Sequence, residues 1–287
     1  MPLIEIEQDF IDFISQKNKL SATESEKLFI LTKEQFAFSG SEYRKLSGQI
    51  HDLFRIIYHD QDEKTLVEAY QFHALMHLFR FISYSYPAAK PRYSGYLKSF
   101  VRALSKGEFN KIFNFIQRKT TSQSAGNELR NPQSRAKFLI EQLNAPQTAT
   151  VVDYGCGLGY ISFEIGKLDP QTKIYLVDID CLTLEFAEFR FKKHGLNVET
   201  IKIIPDDIYP TLPKHNICLA TEVMEHVVQP LTVYKNILGG LEKGGLLYGN
   251  FADHSPEMFH VSPDLSELRH SIASDFQPIG KMCYKKL

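Results

Sequence analysis

The spacing of apolar residues changes character part-way along the chain. From about residue 3 to 118 they recur at helical intervals: Phe10, Ile11, Phe13 and Ile14, then Leu28, Phe29, Leu31, Phe36 and Phe38. The same spacing continues through Ile50, Leu53, Phe54, Ile57 and Tyr58, and through Leu66, Tyr70, Phe72, Leu75, Leu78, Phe79 and Phe81. Ser21 and Thr23, with Glu24 and Glu26 behind them, are residue types that cap and open a helix. Pro87 and Pro91 interrupt the pattern, because proline lacks an N–H and clashes with the preceding turn. Shorter helical patterns follow over 96–104 and 109–117, with no repeat of fixed period. The short-chained polar run Thr120-Thr121-Ser122-Gln123-Ser124-Ala125-Gly126-Asn127 reads as a linker. The pattern predicts an all-helical N-terminal domain over 1–119, a linker over 120–131 and a second domain over 132–287.

A helix after Pro132, carrying Ala136, Phe138, Leu139 and Leu143, leads into that second domain. From Ala149 short apolar runs alternate with helical patterns. Strands are expected over 150–154, 173–177, 199–204, 217–220 and 246–251. Helices are expected over 182–194, ending at Gly195, and over 230–241, ending near Gly244. Strand alternating with helix means an α/β domain with a parallel sheet and right-handed crossovers.

Composition adds limits rather than identity. The 287 residues carry 33 basic and 34 acidic side chains, a net charge of −1, so no global field draws the chain to nucleic acid or to an anionic membrane. One local exception is the stretch from Lys90 to Lys119, with eight bases against Glu108 and with Tyr93, Tyr96, Phe100, Phe109, Phe113 and Phe115 interleaved. That composition suits a solvated helical face over an aromatic stripe, or a surface that faces phosphate or nucleic acid. Cys156, Cys181, Cys218 and Cys283 match no metal-ligand spacing and read as free thiols. The acidic start and the lack of a long apolar run predict a cytoplasmic protein with no membrane span.

The strongest chemical signal is Asp153-Tyr154-Gly155-Cys156-Gly157-Leu158-Gly159-Tyr160, at the end of the first strand and the opening of a helix. Glycines let the backbone turn tightly and approach a ligand, and the helix N-terminus offers free N–H groups. A dinucleotide fingerprint requires a third glycine at the position of Tyr160. The D-x-G-x-G-x-G form resembles instead the first motif of class I S-adenosylmethionine-dependent methyltransferases. The resemblance implies a Rossmann-like, mostly parallel sheet, and S-adenosyl-L-methionine as cofactor. It further implies that Gly155, Cys156, Gly157 and Gly159 line the methionine part of the cofactor, with Asp153 positioning the loop and the amine. Asp178, at the tip of the second strand, would take the ribose hydroxyls and Ile179 the adenine face. Asp180 reads as the cap of the next helix. Asp207, with Asp206 as the other choice, would meet the adenine amine beside Ile208, and Thr221 would close the cofactor site.

Two later segments bear on the acceptor. The run Thr221-Glu222-Val223-Met224-Glu225-His226-Val227 resembles ubiquinone-biosynthesis-type small-molecule methyltransferases. It also resembles part of the small-RNA 2′-O-methyltransferases, which hold magnesium with glutamates and histidines. Glu222, Glu225 and His226 match that part, and His254 or His260 would complete it. Near helix starts such acids are ordinarily electrostatic, so no metal is assigned. His226, His254 and His260 are the candidate bases for an acceptor that must lose a proton. A helix over 263–272 follows. The family closes its sheet with an antiparallel hairpin, for which the residues after Pro278 leave room only in abbreviated form. The resulting expectation is methyl transfer to O, N or C of a small molecule, not nucleic acid, with the helical domain as lid or specificity element. The alternatives are a metal-assisted RNA 2′-O-methyltransferase and a non-catalytic cofactor-binding scaffold.

Overall fold

A computed structural model describes residues 5–21, 23–27, 67, 131–143, 149–253, 260–262 and 264–287. The expected helices between 28 and 117, the basic stretch, the linker at 120–127 and His254 lie outside these residues. Helix α1 spans Glu5–Asn18. A helical turn at 23–27 follows, opened by Ser21: its hydroxyl accepts the Glu24 N–H at 3.3 Å, and the Glu24 carboxylate accepts the Ser21 N–H at 2.8 Å. That reciprocal pair satisfies two donors a helix start leaves open.

Helix α2, Pro132–Leu143, begins as its sequence dictates. The Asn131 side chain accepts the Ser134 N–H at 2.7 Å, and Pro132 occupies the first helical position, where its missing N–H costs nothing. There follow β1 (Thr150–Tyr154), α3 (Tyr160–Leu168), β2 (Lys173–Ile179), α4 (Leu182–Lys193), β3 (Val198–Ile203) and β4 (His215–Ala220). A single 3-10 turn, Met224–His226, precedes α5 (Pro230–Gly240), β5 (Leu241–Gly249), α6 (Ser266–Asp275), β6 (Phe276–Gly280) and β7 (Cys283–Lys286).

The strands form one seven-stranded sheet in the order β3-β2-β1-β4-β5-β7-β6, parallel through β5 and antiparallel at β7 and β6. Val151, Val152, Ile217 and Cys218 have no exposure at all, the mark of central strands covered on both faces. One face packs Ala136, Leu139, Phe163, Leu184 and Phe191 from α2, α3 and α4. The other packs Tyr234, Ile237, Leu268 and Ile272 from α5 and α6. The strand order reverses between β1 and β4, which opens a crevice beyond their carboxyl ends, where ligands of such sheets bind.

Two local expectations change. The helix before β5 stops at Gly240 and the strand starts at once; Gly244, with φ 75°, lies inside β5 where the register to β4 shifts, so it serves a bulge and not a helix cap. Cys181, not Asp180, takes the cap position of α4, while Asp180 pairs with Lys202 at 2.9 Å. The closing hairpin is short, with strands of 5 and 4 residues, yet it completes the sheet. Among the described residues no helix is long and apolar enough to cross a membrane.

Candidate cofactor cavity and active site

The loop after β1 is hung from the tip of β2. Gly155, Gly157 and Gly159 all take left-handed backbone angles, φ 66°, 52° and 61°. The Gly155 N–H donates to the Val177 carbonyl at 2.8 Å. The Gly157 N–H donates to Asp178 Oδ2 at 2.6 Å, and the Ile179 N–H to Asp178 Oδ1 at 2.8 Å. Burial raises the Asp178 carboxyl above its ordinary range, and these N–H donors pull the other way. Asp153 lies beneath the loop and accepts the Ser162 hydroxyl. Burial lifts Asp153 from 3.8 to about 7, opposed by Ser162 and reinforced by the charge of Asp178.

A cavity of about 220 Å³ opens at the switch point between β1 and β4. Gly155, Gly157 and Asp178 form its wall on the β1–β2 side. Ile179, Ile203 and Ile208, from the β2 and β3 tips, make an apolar slot beside Asp178. Glu222, Val223 and His226 form the wall beyond β4. Tyr154, Tyr209, Val227 and Val228 add to it, as does Val67 from the N-terminal half.

The expected site residues divide accordingly. Gly155, Gly157, Asp178, Ile179, Ile208 and His226 line the cavity. Cys156 sits in the loop with its thiol pushed well above its usual range by burial. Gly159 packs the loop on α4: a Cβ there would come within 2.8 Å of the Phe191 ring. Asp207 and Thr221 are not among the lining residues. Asp207 is exposed in a tight turn whose backbone closes on Ile204, which directs Ile208 inward instead. The apolar walls Tyr154, Ile203, Tyr209, Val223, Val227 and Val67 have no site assignment in the sequence, because an apolar side chain at a strand end or in a loop carries no chemical signature.

Beyond β4 the backbone is unusual. Glu222 has φ 55°, a left-handed angle that costs a residue with a Cβ roughly 1–2 kcal/mol. Asn250, at the end of β5, holds it: the Glu222 N–H donates to Asn250 Oδ1 at 2.8 Å, and the Asn250 amide donates to the Glu222 carboxylate. Strain kept by such a clasp is common at functional sites. Next to it, the His226 and His260 rings stand 4.9 Å apart, centroid to centroid. Ser262 fixes this approach, its N–H donating to the Glu225 carbonyl at 3.0 Å and its hydroxyl to the Val227 carbonyl at 2.7 Å. Glu225, fully buried, His226 and His260 bring one ligand atom each to within 4.8 Å of one another, a group able to hold a metal ion. Glu222, expected with them, is tied to Asn250 and stands outside that group. A second such group, Glu5, Asp9 and His194, has Asp9 already paired with Arg190 and Lys193, which disfavours a cation.

The donor set fits S-adenosylmethionine. A left-handed glycine loop lets the backbone approach a ligand's amino-acid end closely, a carboxylate at a β2 tip suits a ribose diol, and an isoleucine slot suits a purine face. A Cβ at Gly155 would strike the Val223 side chain, so the loop runs against the cavity wall more closely than a residue with a side chain could.

A family model described as Methyltransferase small domain matches residues 132–220. Ribosomal RNA small subunit methyltransferase C of Acinetobacter baylyi is 35% identical over 65 residues, 23% of this chain and 19% of that protein. Ubiquinone biosynthesis O-methyltransferase of Histophilus somni is 27% identical over 123 residues, 41% of this chain and 50% of that protein. The mitochondrial ubiquinone biosynthesis O-methyltransferase of Candida albicans is 31% identical over 103 residues, 34% and 31% of the two chains. The chain therefore spans half or less of the length of these relatives. The match covers the segment that holds the glycine loop and the Asp178 clasp, and the 3-2-1-4-5-7-6 sheet around it has the class I S-adenosylmethionine-dependent methyltransferase fold.

Proposed function

We propose that the chain is a methyltransferase that moves the methyl group of S-adenosylmethionine to an O, N or C atom of a small molecule by direct in-line displacement. The observation that carries this reading is one cavity with Asp178 and the glycine loop on one wall and Glu222 and His226 on the other. Bound there, the cofactor supplies an electrophilic methyl on a sulfonium. The glycine loop, set from beneath by Asp153, lies against the amino-acid end, Asp178 accepts the ribose hydroxyls, and Ile179 and Ile208 cover the adenine. His226, backed by His260, accepts a proton from an acceptor hydroxyl; His254 is the third candidate base. Positioning within walls of valine, isoleucine and tyrosine contributes up to roughly 7–11 kcal/mol by preorganisation and water exclusion. Val67 in the wall supports a role for the segment 1–119 in acceptor choice. Four free cysteines support a reducing, cytoplasmic setting.

The test is incubation of the purified chain with methyl-labelled cofactor and fractionated cell extract. Label in the metabolite fraction, lost about 10²–10⁴-fold in His226→Ala, supports the reading. No label in any fraction leaves the scaffold alternative.

A second reading is favoured by the Glu225–His226–His260 group and by the ribosomal RNA relative: metal-assisted methylation of RNA. It requires label in RNA and loss of transfer in excess chelator and in Glu225→Ala. Transfer that persists in chelator eliminates it.

A further inference from the structure

We infer that α1 braces the cofactor loop, and that Asp9 and Phe10 are positioning residues for the cofactor although neither lines the cavity. The inference rests on the cofactor reading above. Leu158 lies between two left-handed glycines, Gly157 and Gly159, yet is only 2% exposed. Its side chain is buried in a cluster supplied by Ile6, Phe10, Ile11 and Phe13 of α1 and Phe186 of α4. Phe10 meets the Phe186 ring edge-on at 5.3 Å, and Phe13 lies 5.5 Å from both Phe186 and Phe189.

An ionic latch fixes α1 in this place. Asp9, 1% exposed, accepts from Arg190 Nε at 3.2 Å and Lys193 Nζ at 2.7 Å, and meets His194 Nε2 at 3.0 Å. Lys193 also donates to Asp12 at 2.6 Å. The Arg190 guanidinium lies 3.7 Å from the centre of the Phe163 ring and is itself buried, so removal of Asp9 leaves a buried cation short of its counter-charge.

The loop is thus held at two adjacent residues by different means. Asp178 takes the Gly157 N–H from inside, and α1 buries Leu158 from outside. A Gly-Leu-Gly segment without the outer anchor has many backbone conformations. Ligand affinity falls in proportion to the fraction of molecules whose loop is competent, so a tenfold fall in that fraction weakens binding about tenfold. The effect falls most on the amino-acid end of the cofactor, against which the loop lies, and least on the adenosine end, where Asp178 keeps the Ile179 N–H and the isoleucine slot is untouched.

The experiment compares the full chain with Asp9→Ala and Phe10→Ala, by calorimetry with S-adenosylhomocysteine and with adenosine, well below each melting temperature. Hydrogen exchange of the 155–160 amides is read in parallel. The expected result is about tenfold weaker S-adenosylhomocysteine binding, a clearly smaller loss of adenosine binding and faster loop exchange. Unchanged S-adenosylhomocysteine binding in the folded variants overturns the inference, as does equal weakening of both ligands, which signals general loss of structure. Asp9→Asn, which keeps the shape and removes the charge, gives the same comparison if the alanine variant does not fold. Failure of the unaltered chain to bind S-adenosylhomocysteine at all fails the cofactor reading instead.

Discussion

Asp153→Asn should stabilise the unliganded protein at neutral pH and weaken its grip on the cofactor. Asp153 is buried beneath the glycine loop, and burial raises its carboxyl from 3.8 to about 7. Between those values the folded chain keeps a proton that the unfolded chain has lost. Stability therefore declines as pH rises through that window and is level above it. About three units at about 1.4 kcal/mol each gives a differential of roughly 4 kcal/mol, an upper limit because relaxation and water entry screen a buried carboxylate. Asparagine has no proton to lose, so the variant lacks this slope, while its amide oxygen still accepts the Ser162 hydroxyl. The assay is denaturant unfolding of both proteins from pH 4.5 to 8.5, with cofactor calorimetry at the upper end. The variant should gain on the parent between about pH 4 and 7, by as much as a few kcal/mol, while losing about tenfold or more in cofactor affinity with the carboxylate. A constant stability difference across the pH range would refute the reasoning.

Other perturbations separate shape from chemistry. Gly155→Ala should cost more than about 1 kcal/mol and abolish cofactor binding, because its φ is 66° and its Cβ would strike Val223; adding Val223→Ala should relieve the clash but not the backbone cost, and full rescue in thermal unfolding would show the angle to be unimportant. Glu222→Gly should be within about 1 kcal/mol of neutral while slowing methyl transfer, since relief of the left-handed angle offsets the lost Asn250 contact and the added freedom of the unfolded chain; a strongly destabilised variant with full turnover contradicts that view of the strain. Leu139→Ala, at a position with no exposure in the α2–sheet interface, should lose about 2–5 kcal/mol in unfolding without altering adenosine affinity, and a loss below 1 kcal/mol would count against the packing described.

The parallel core was legible because its strands are short and apolar and its punctuation is local. β1 begins and ends where the pattern puts it, and Asn131-Pro132 announces α2. Asp178 could be placed from its distance to the glycines. What the spacing does not carry is the partner across space. Asp180 resembles a helix cap until Lys202 of β3 lies beside it, and Gly244 resembles a helix stop until the β4 register slips. Asp207 lies exposed in the 204–207 turn next to Ile208, which lines the cavity, and the spacing alone does not give that placement. The α1 pattern reads as part of a separate helical unit, and nothing in it reveals that Asp9 finds three basic partners on α4 and at its end, more than 180 positions away. His226 and His260 are 34 positions apart, and the Ser262 hydrogen bonds that join them are equally silent in one dimension.

The central claim is that the cavity at the β1–β4 switch point holds S-adenosylmethionine through the glycine loop and Asp178. Isothermal calorimetry of the full chain and of Asp178→Ala with S-adenosylmethionine tests it most directly. One-to-one binding by the unaltered chain is expected, weakened by about one to two orders of magnitude or more in the variant, as for loss of charge-assisted hydrogen bonds worth about 1.5–3 kcal/mol. Equal affinity in the two folded proteins, or no binding by either, would contradict it.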